Sequence, residues 1–250
     1  AKYSDWIDDI ASAYTALYNE YFDEGKQYAF TPAGIQDSED LAELHANDAW
    51  KEFATKMRAM YDLVYDSESA DVAYPWVLYW FTGMTEQEVY GLASMSHGYY
   101  GEKSTSIETW STNGTRTWTS PQTSSACGAV TYKWTSGTGV SENIKELWKS
   151  LHDNGIDVWV CSASATDVVR AAIDTFELGD SVTGLLAMTN KYESNAYVNE
   201  YDYEHGYAWY KTRLGAWRKG DVATKAQTQG KGKVTAIDNV LCKEYGCGPI

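Results

Sequence analysis

One stretch, Val140 to Arg170, constrains the fold more than any other. In its first half Ile144, Leu147, Trp148 and Leu151 recur at the spacing of a single apolar helix face. Asn154-Gly155 supplies a helix stop. Ile156 to Cys161 is then a short, mostly apolar run of the kind that forms a buried strand of a parallel sheet. Ser162-Ala163-Ser164 turns the chain, and Asp167 to Ile173 has helical character, with Ser164 or Thr166 as its N-cap. Helix, glycine, strand, small polar turn and helix make one piece of an α/β sheet with crossover helices. Such a turn gathers anions, because free amides and the positive end of the helix dipole both point at it. The Ser162 hydroxyl adds a donor at the same place.

The balance of charge narrows the partners. A formal net charge of -15 argues against a nucleic-acid footprint and against anionic membrane surfaces. No apolar run is long enough to span a bilayer. The 11 Trp and 20 Tyr, against 5 Phe, suit exported or carbohydrate-facing surfaces but also occur in ordinary cores; the compartment stays open, with a secreted or cell-surface location favoured over a cytoplasmic one. The chain starts at Ala1 with no signal peptide, which implies a processed or truncated product. Of the cysteines, Cys161 reads as an inert core thiol. Cys242 and Cys247 either form a local disulfide or are unrelated thiols. No spacing suggests zinc.

Residues 1–135 read as a mainly helical region with a β-hairpin excursion, and residues 136–250 as α/β. Trp6, Ile10, Tyr14, Leu17, Tyr18 and Tyr21 mark a helix over Asp5–Asp23, and Asp37–Tyr65 is helical in one or two pieces. Pro75 interrupts the pattern, and Thr85-Glu-Gln-Glu88 has the form of a capped helix start. Thr115–Thr119 and Ala129–Trp134 alternate as hairpin strands do. Val182–Met188 is a further strand, Tyr192–Tyr210 is loop-like, and Thr228–Tyr245 is a Gly/Lys turn followed by a helix.

That last turn, Gln229-Gly-Lys-Gly-Lys-Val-Thr-Ala-Ile237, puts a lysine into a helix N-terminus behind two glycines. Glycine lets backbone approach an anion and lysine brings a point charge. It is not a P-loop, since neither lysine precedes Ser or Thr. Taken with Val158-Trp-Val-Cys-Ser162 and the helix before it, the segment resembles the second and third conserved loops of the haloacid dehalogenase superfamily, in its phosphoserine-phosphatase-like branch. The resemblance implies a Rossmann-like parallel sheet with a helical cap, and a Mg²⁺-dependent phosphatase acting on a small phosphorylated molecule. It implies that Ser162 hydrogen-bonds the phosphoryl group and Lys233 offsets its charge. Ala163 and Lys231 are further substrate-binding candidates, Lys231 also standing in for Lys233 if the register is off by two. Arg58 and Arg116 could bind a substrate's carboxylate or phosphate from the cap, with surface ion pairing the favoured reading.

The family's opening strand ending in Asp-x-Asp is not found, nor is its fourth, Mg²⁺-binding Asp motif. Asp202-Tyr-Glu204 lies in the wrong place, and Asp5–Asp9 is helical in pattern. The expectation is an incomplete core, an internal portion of a larger phosphatase-like polypeptide whose catalytic aspartates and metal ligands lie outside this sequence. The alternative is a catalytically inactive phosphatase-like module that binds a phosphorylated or sugar ligand. Trp110, Trp118, Tyr132 and Trp134 could stack on a sugar, but a hairpin packing its own aromatics is favoured. His45, His97, His152 and His205 are scattered and read as surface or helix residues; Arg116 reads as a surface ion-pairing residue, and Asp40, Glu43 and Asp48 as a solvated helix face.

Overall fold

The computed structural model describes residues 3–21, 43–74, 76–101, 115–121, 127–135, 139–202, 207–211, 217–221 and 227–246. The chain divides into two compact units, Ala1–Trp76 with Thr115–Ser136, and Val77–Gly114 with Gly137–Ile250. Residues 77–101, grouped by the sequence pattern with the helical region, therefore pack with the α/β unit.

In the first unit, α1 (Tyr3–Tyr21) lies on α2 (Asp48–Ser67). Asn47 caps α2 by accepting hydrogen bonds from the amides of Ala49 and Trp50. Their shared core is Ile10, Met60 and Val64, joined by Ala73 of α3 (Ala70–Ala73) and flanked by Trp6, Phe53, Met57, Tyr61 and Trp76. A hairpin, β1 (Thr115–Thr119) and β2 (Thr131–Thr135), pairs antiparallel from Thr115↔Thr135 to Thr119↔Thr131. Two of its aromatics meet α2: Trp118 meets Trp50 edge-on at 4.8 Å, and the Tyr132 hydroxyl donates to Asp62 at 2.5 Å. Trp110, Asp40 and His205 lie outside the described residues.

The second unit begins in α4 (Trp76–Phe81), whose first residue belongs with the other unit, and continues with α5 (Glu86–Gly101). Thr85 and Glu88 form the expected reciprocal cap: the Thr85 amide and hydroxyl donate to Glu88 at 2.8 and 2.9 Å, and the Glu88 amide donates to the Thr85 hydroxyl at 3.2 Å. The segment singled out above folds as α6 (Glu142–Asp153), β3 (Trp159–Ala165) and α7 (Thr166–Thr175). Asn154 and Gly155, the latter at φ 75°, end α6 as expected. The N-cap of α7 is Ala165, not Ser164 or Thr166; the Thr166 hydroxyl donates instead to Met188 O at 2.8 Å.

β4 (Gly184–Met188) runs parallel to β3 and is buried along its length. Its side chains alternate between two helical layers. Leu185 and Ala187 face Val160, Trp148 of α6, and Val169 and Ile173 of α7. Leu186 faces Trp159, Cys161, and Ala236 and Val240 of α8 (Gly232–Tyr245). The sheet that results is mixed, in the order β3-β4-β7-β8, with β7 (Tyr207–Lys211) and β8 (Trp217–Asp221) antiparallel. A Rossmann-like parallel sheet, incomplete in this sequence, was expected; the chain is mixed α/β, and the described sheet has one parallel pair. Between β4 and β7 the chain forms a hairpin, not a crossover helix, so β7 returns antiparallel.

That hairpin, β5 (Asn190–Glu193) and β6 (Ala196–Tyr201), falls in the stretch expected to be loop-like. Its two-residue turn puts Ser194 and Asn195 at φ 49° and 68°, the geometry of a primed turn. Ser-Asn is a weak signal for such a turn compared with Asn-Gly.

α5 packs on α7 across His97, whose Nε2 donates to the Val168 carbonyl at 3.1 Å. Burial holds the imidazole below its ordinary range, opposed by the bond to Val168. The unfolded chain therefore binds a proton here more readily than the folded one, and His97's contribution is lost as pH falls below the ordinary histidine value. Urea unfolding between about pH 7.5 and about pH 5.5 is expected to show the midpoint falling with pH, and His97→Gln to remove that residue's share of the slope.

Candidate functional site

Ser162 sits where the β3–β4 ladder becomes irregular. Regular pairing ends at Cys161↔Leu186 and the next pair is Ala165↔Met188. Ser162, Ala163 and Ser164 therefore stand against Ala187 alone, a bulge at the carboxyl end of the ladder. Inside the bulge the Ser164 amide donates to the Ser162 hydroxyl oxygen at 3.1 Å. Strand geometry continues to Ala165, so Ser162 is the first residue past the regular ladder and not the last of the strand.

Residues 227–231 lead into α8 and are fastened to this end of the sheet. The Gln227 side chain, 7% exposed, accepts from the Thr189 amide at 2.9 Å and donates to the carbonyls of Thr189 at 3.0 Å and Asp202 at 2.7 Å. The Thr228 hydroxyl donates to the Ser162 carbonyl. Gln229 Nε2 reaches Met188 Sδ at 2.8 Å. The far end of α8 is held at the opposite end of β3, where the Tyr245 hydroxyl donates to Asp157 at 2.6 Å and accepts from Trp159 Nε1 at 3.0 Å. α8 thus runs antiparallel to β3, with its first turn beside the Ser162 bulge.

Lys233 lies in that first turn, half-buried. Burial pushes the Cys161 thiol up and the nearby Lys233 ammonium pulls it down, so Lys233's charge is felt at the residue preceding Ser162. Lys231 is at the N-cap position and exposed. Neither α7 nor α8 has a side-chain cap, and their N-termini follow or flank the same bulge. Two helix dipoles, a hydroxyl and an ammonium at one end of a parallel pair make a place suited to an anion. Ser162, Ala163, Lys231 and Lys233 are thus gathered at one sheet end. Arg58 belongs to α2 in the other unit, where its guanidinium pairs with Asp62 at 3.0 Å and lies over the Tyr61 ring.

The Mg²⁺ implied by the resemblance finds no fitting residues here: among the described residues no three His, Cys, Asp or Glu side chains form a group able to hold a metal ion. Cys247 is outside the described residues, so its pairing with Cys242 is not on view.

A second polar network in the same unit escaped the sequence pattern. Asp167, 3% exposed, accepts from the Tyr197 hydroxyl and from Arg170 at 2.9 Å. Burial raises the Asp167 carboxyl, opposed by Tyr197 and Arg170. Arg170 lies 5.3 Å from the centre of the Tyr90 ring, and Tyr90 donates to Asp174 at 2.8 Å. Its sequence signal was thin: an Asp and an Arg in the first turns of a helix read as capping and solvation.

No protein-family model and no curated protein matches the chain. Among solved structures it is similar to a conserved, functionally unknown protein from Anaerococcus prevotii DSM 20548, at a TM-score of 0.57 and 24% identity. The match covers 78% of this chain and 47% of that one, so this chain spans about half of its neighbour's length. The likeness supports the fold alone. No described helix is long and apolar enough to cross a membrane.

The fastening depends on Gly232, where an added Cβ would lie 1.8 Å from the Gln227 carbonyl oxygen. Gly232→Ala is expected to displace the loop and cost about 1–3 kcal/mol in urea unfolding. Gly230→Ala, whose Cβ would meet open space but whose φ is 47°, is expected to cost less.

Proposed function

We propose that the second unit is the phosphate-holding half of a phosphomonoester hydrolase of the haloacid dehalogenase type, with the catalytic aspartates outside this sequence. The observation that carries the reading is the Thr228–Ser162 hydrogen bond, which ties the first turn of α8 to the serine bulge. In this reading the Ser162 hydroxyl and the Ala163 amide donate to phosphoryl oxygens. Lys233 offsets charge that grows as phosphoryl passes to an aspartate supplied from elsewhere. Lys231, on the solvent side, guides the anion inward.

Further support comes from surface the unit leaves uncovered. β3 ends the described sheet, hydrogen-bonded to β4 alone. On α6, Ile144 and Leu147 are 40% and 50% exposed although they belong to its apolar face. A strand alongside β3 and an element over α6 would cover both. The inactive binding module rests on the same anion site and on the lack of a metal-holding group among the described residues.

The test uses the polypeptide with its flanking segments, p-nitrophenyl phosphate and Mg²⁺. Turnover is expected, with Lys233→Ala lowering kcat/KM on the order of a hundred-fold or more and Ser162→Ala lowering it by less. Inorganic phosphate binding without turnover would favour the module. Neither turnover nor phosphate binding would overturn both readings.

A further inference from the structure

The apolar interface between α1 and α2 contains three ionisable side chains that the phosphate site does not use. Asp9 is 2% exposed, and Glu52 and Lys56 are both 0% exposed. Lys56 Nζ is 2.6 Å from Asp9 Oδ2 and also contacts Glu52 Oε1, one helical turn back on α2. Oδ2 of Asp9 further accepts from the Cys127 amide at 3.3 Å and the Cys127 thiol at 2.7 Å. Glu52 Oε2 has no hydrogen-bond partner among the described residues. Glu52 Oε1 lies against Lys56 Nζ in the seam, so its carboxyl is placed to exchange a proton with that nitrogen.

We infer that Asp9 and Lys56 condense to a side-chain amide, a covalent staple between α1 and α2 promoted by Glu52. Burial works against the Lys56 ammonium, but its bonds to Asp9 and Glu52 hold it above the ordinary lysine range, so the neutral amine that attacks is a minor form, reached by proton transfer from Lys56 to Asp9 Oδ1. The amine nitrogen attacks Asp9 Cγ. Negative charge develops on Oδ2, which the Cys127 amide and thiol already address as an oxyanion hole does. Glu52 accepts a proton from the nitrogen and returns one to Oδ1. The Cγ–Oδ1 bond breaks and Oδ1 leaves as water. One N–C bond forms, one C–O bond breaks, one water departs, and nothing is oxidised or reduced.

The intact mass of the denatured full chain is expected to be one water lighter than its sequence, with a proteolytic fragment joining the peptides of Asp9 and Lys56. Glu52→Gln is expected to lose most of the product, and Lys56→Met all of it, each checked for folding by circular dichroism. Asp9→Asn should give the same product mass, releasing ammonia instead of water. An unmodified mass in the folded wild-type chain overturns the inference. A chain that gains one oxygen and loses two hydrogens, with Cys127 in the joined fragment, also overturns it, in favour of an oxidative lysine–cysteine link.

Discussion

A single buried amide organises the α/β unit. The Gln227 side chain meets the Thr189 amide and carbonyl as another strand's peptide group would, and adds a bond to Asp202. Buried backbone groups need partners, and here a side chain supplies them just past the end of β4. Once Gln227 is seated, Thr228 reaches the Ser162 carbonyl, and α8 can start only where Gly232 allows. The loop that carries Lys231 and Lys233 is therefore placed by hydrogen bonds to the sheet rather than by its own lysines.

The two units solve burial differently. The α/β unit alternates Leu185 and Leu186 of β4 between facing helical layers, so one strand serves two cores. The helical unit joins two long helices through one apolar seam and admits a lysine and two carboxylates into it. Three ionisable groups in such a seam are tolerated only while they are mutually satisfied, which makes Asp9, Glu52 and Lys56 sensitive positions in that unit.

Much of this was legible in the residues. The periodicity of Ile144, Leu147, Trp148 and Leu151 gave α6, and Gly155 its end. The Thr85–Glu88 spacing gave the cap of α5, and the alternation around Trp118 and Tyr132 gave the first hairpin. Other features depend on tertiary context. The β5–β6 turn uses Ser194-Asn195, which carries little hairpin signal without glycine. β8, Trp217–Asp221, has too short and charged a sequence to stand out as a strand. The Gln227 clamp is invisible because a glutamine ahead of a helix ordinarily faces water. Glu52 and Lys56 look like a solvated i, i+4 pair, and their burial follows from how α1 lies against them. The stretch around Ser162 announced a turn after a strand, but a three-against-one bulge depends on where β4 ends.

α8 has fourteen residues and a length of about 21 Å at the usual helical rise. It is moored at its head through Thr228 and Gln227, and at its tail through Tyr245, which touches both Asp157 and Trp159. A rod tethered at two points behaves as a lever. With both ends held, the helix can shift its first turn, and Lys233 with it, only by tilting as a whole against β3.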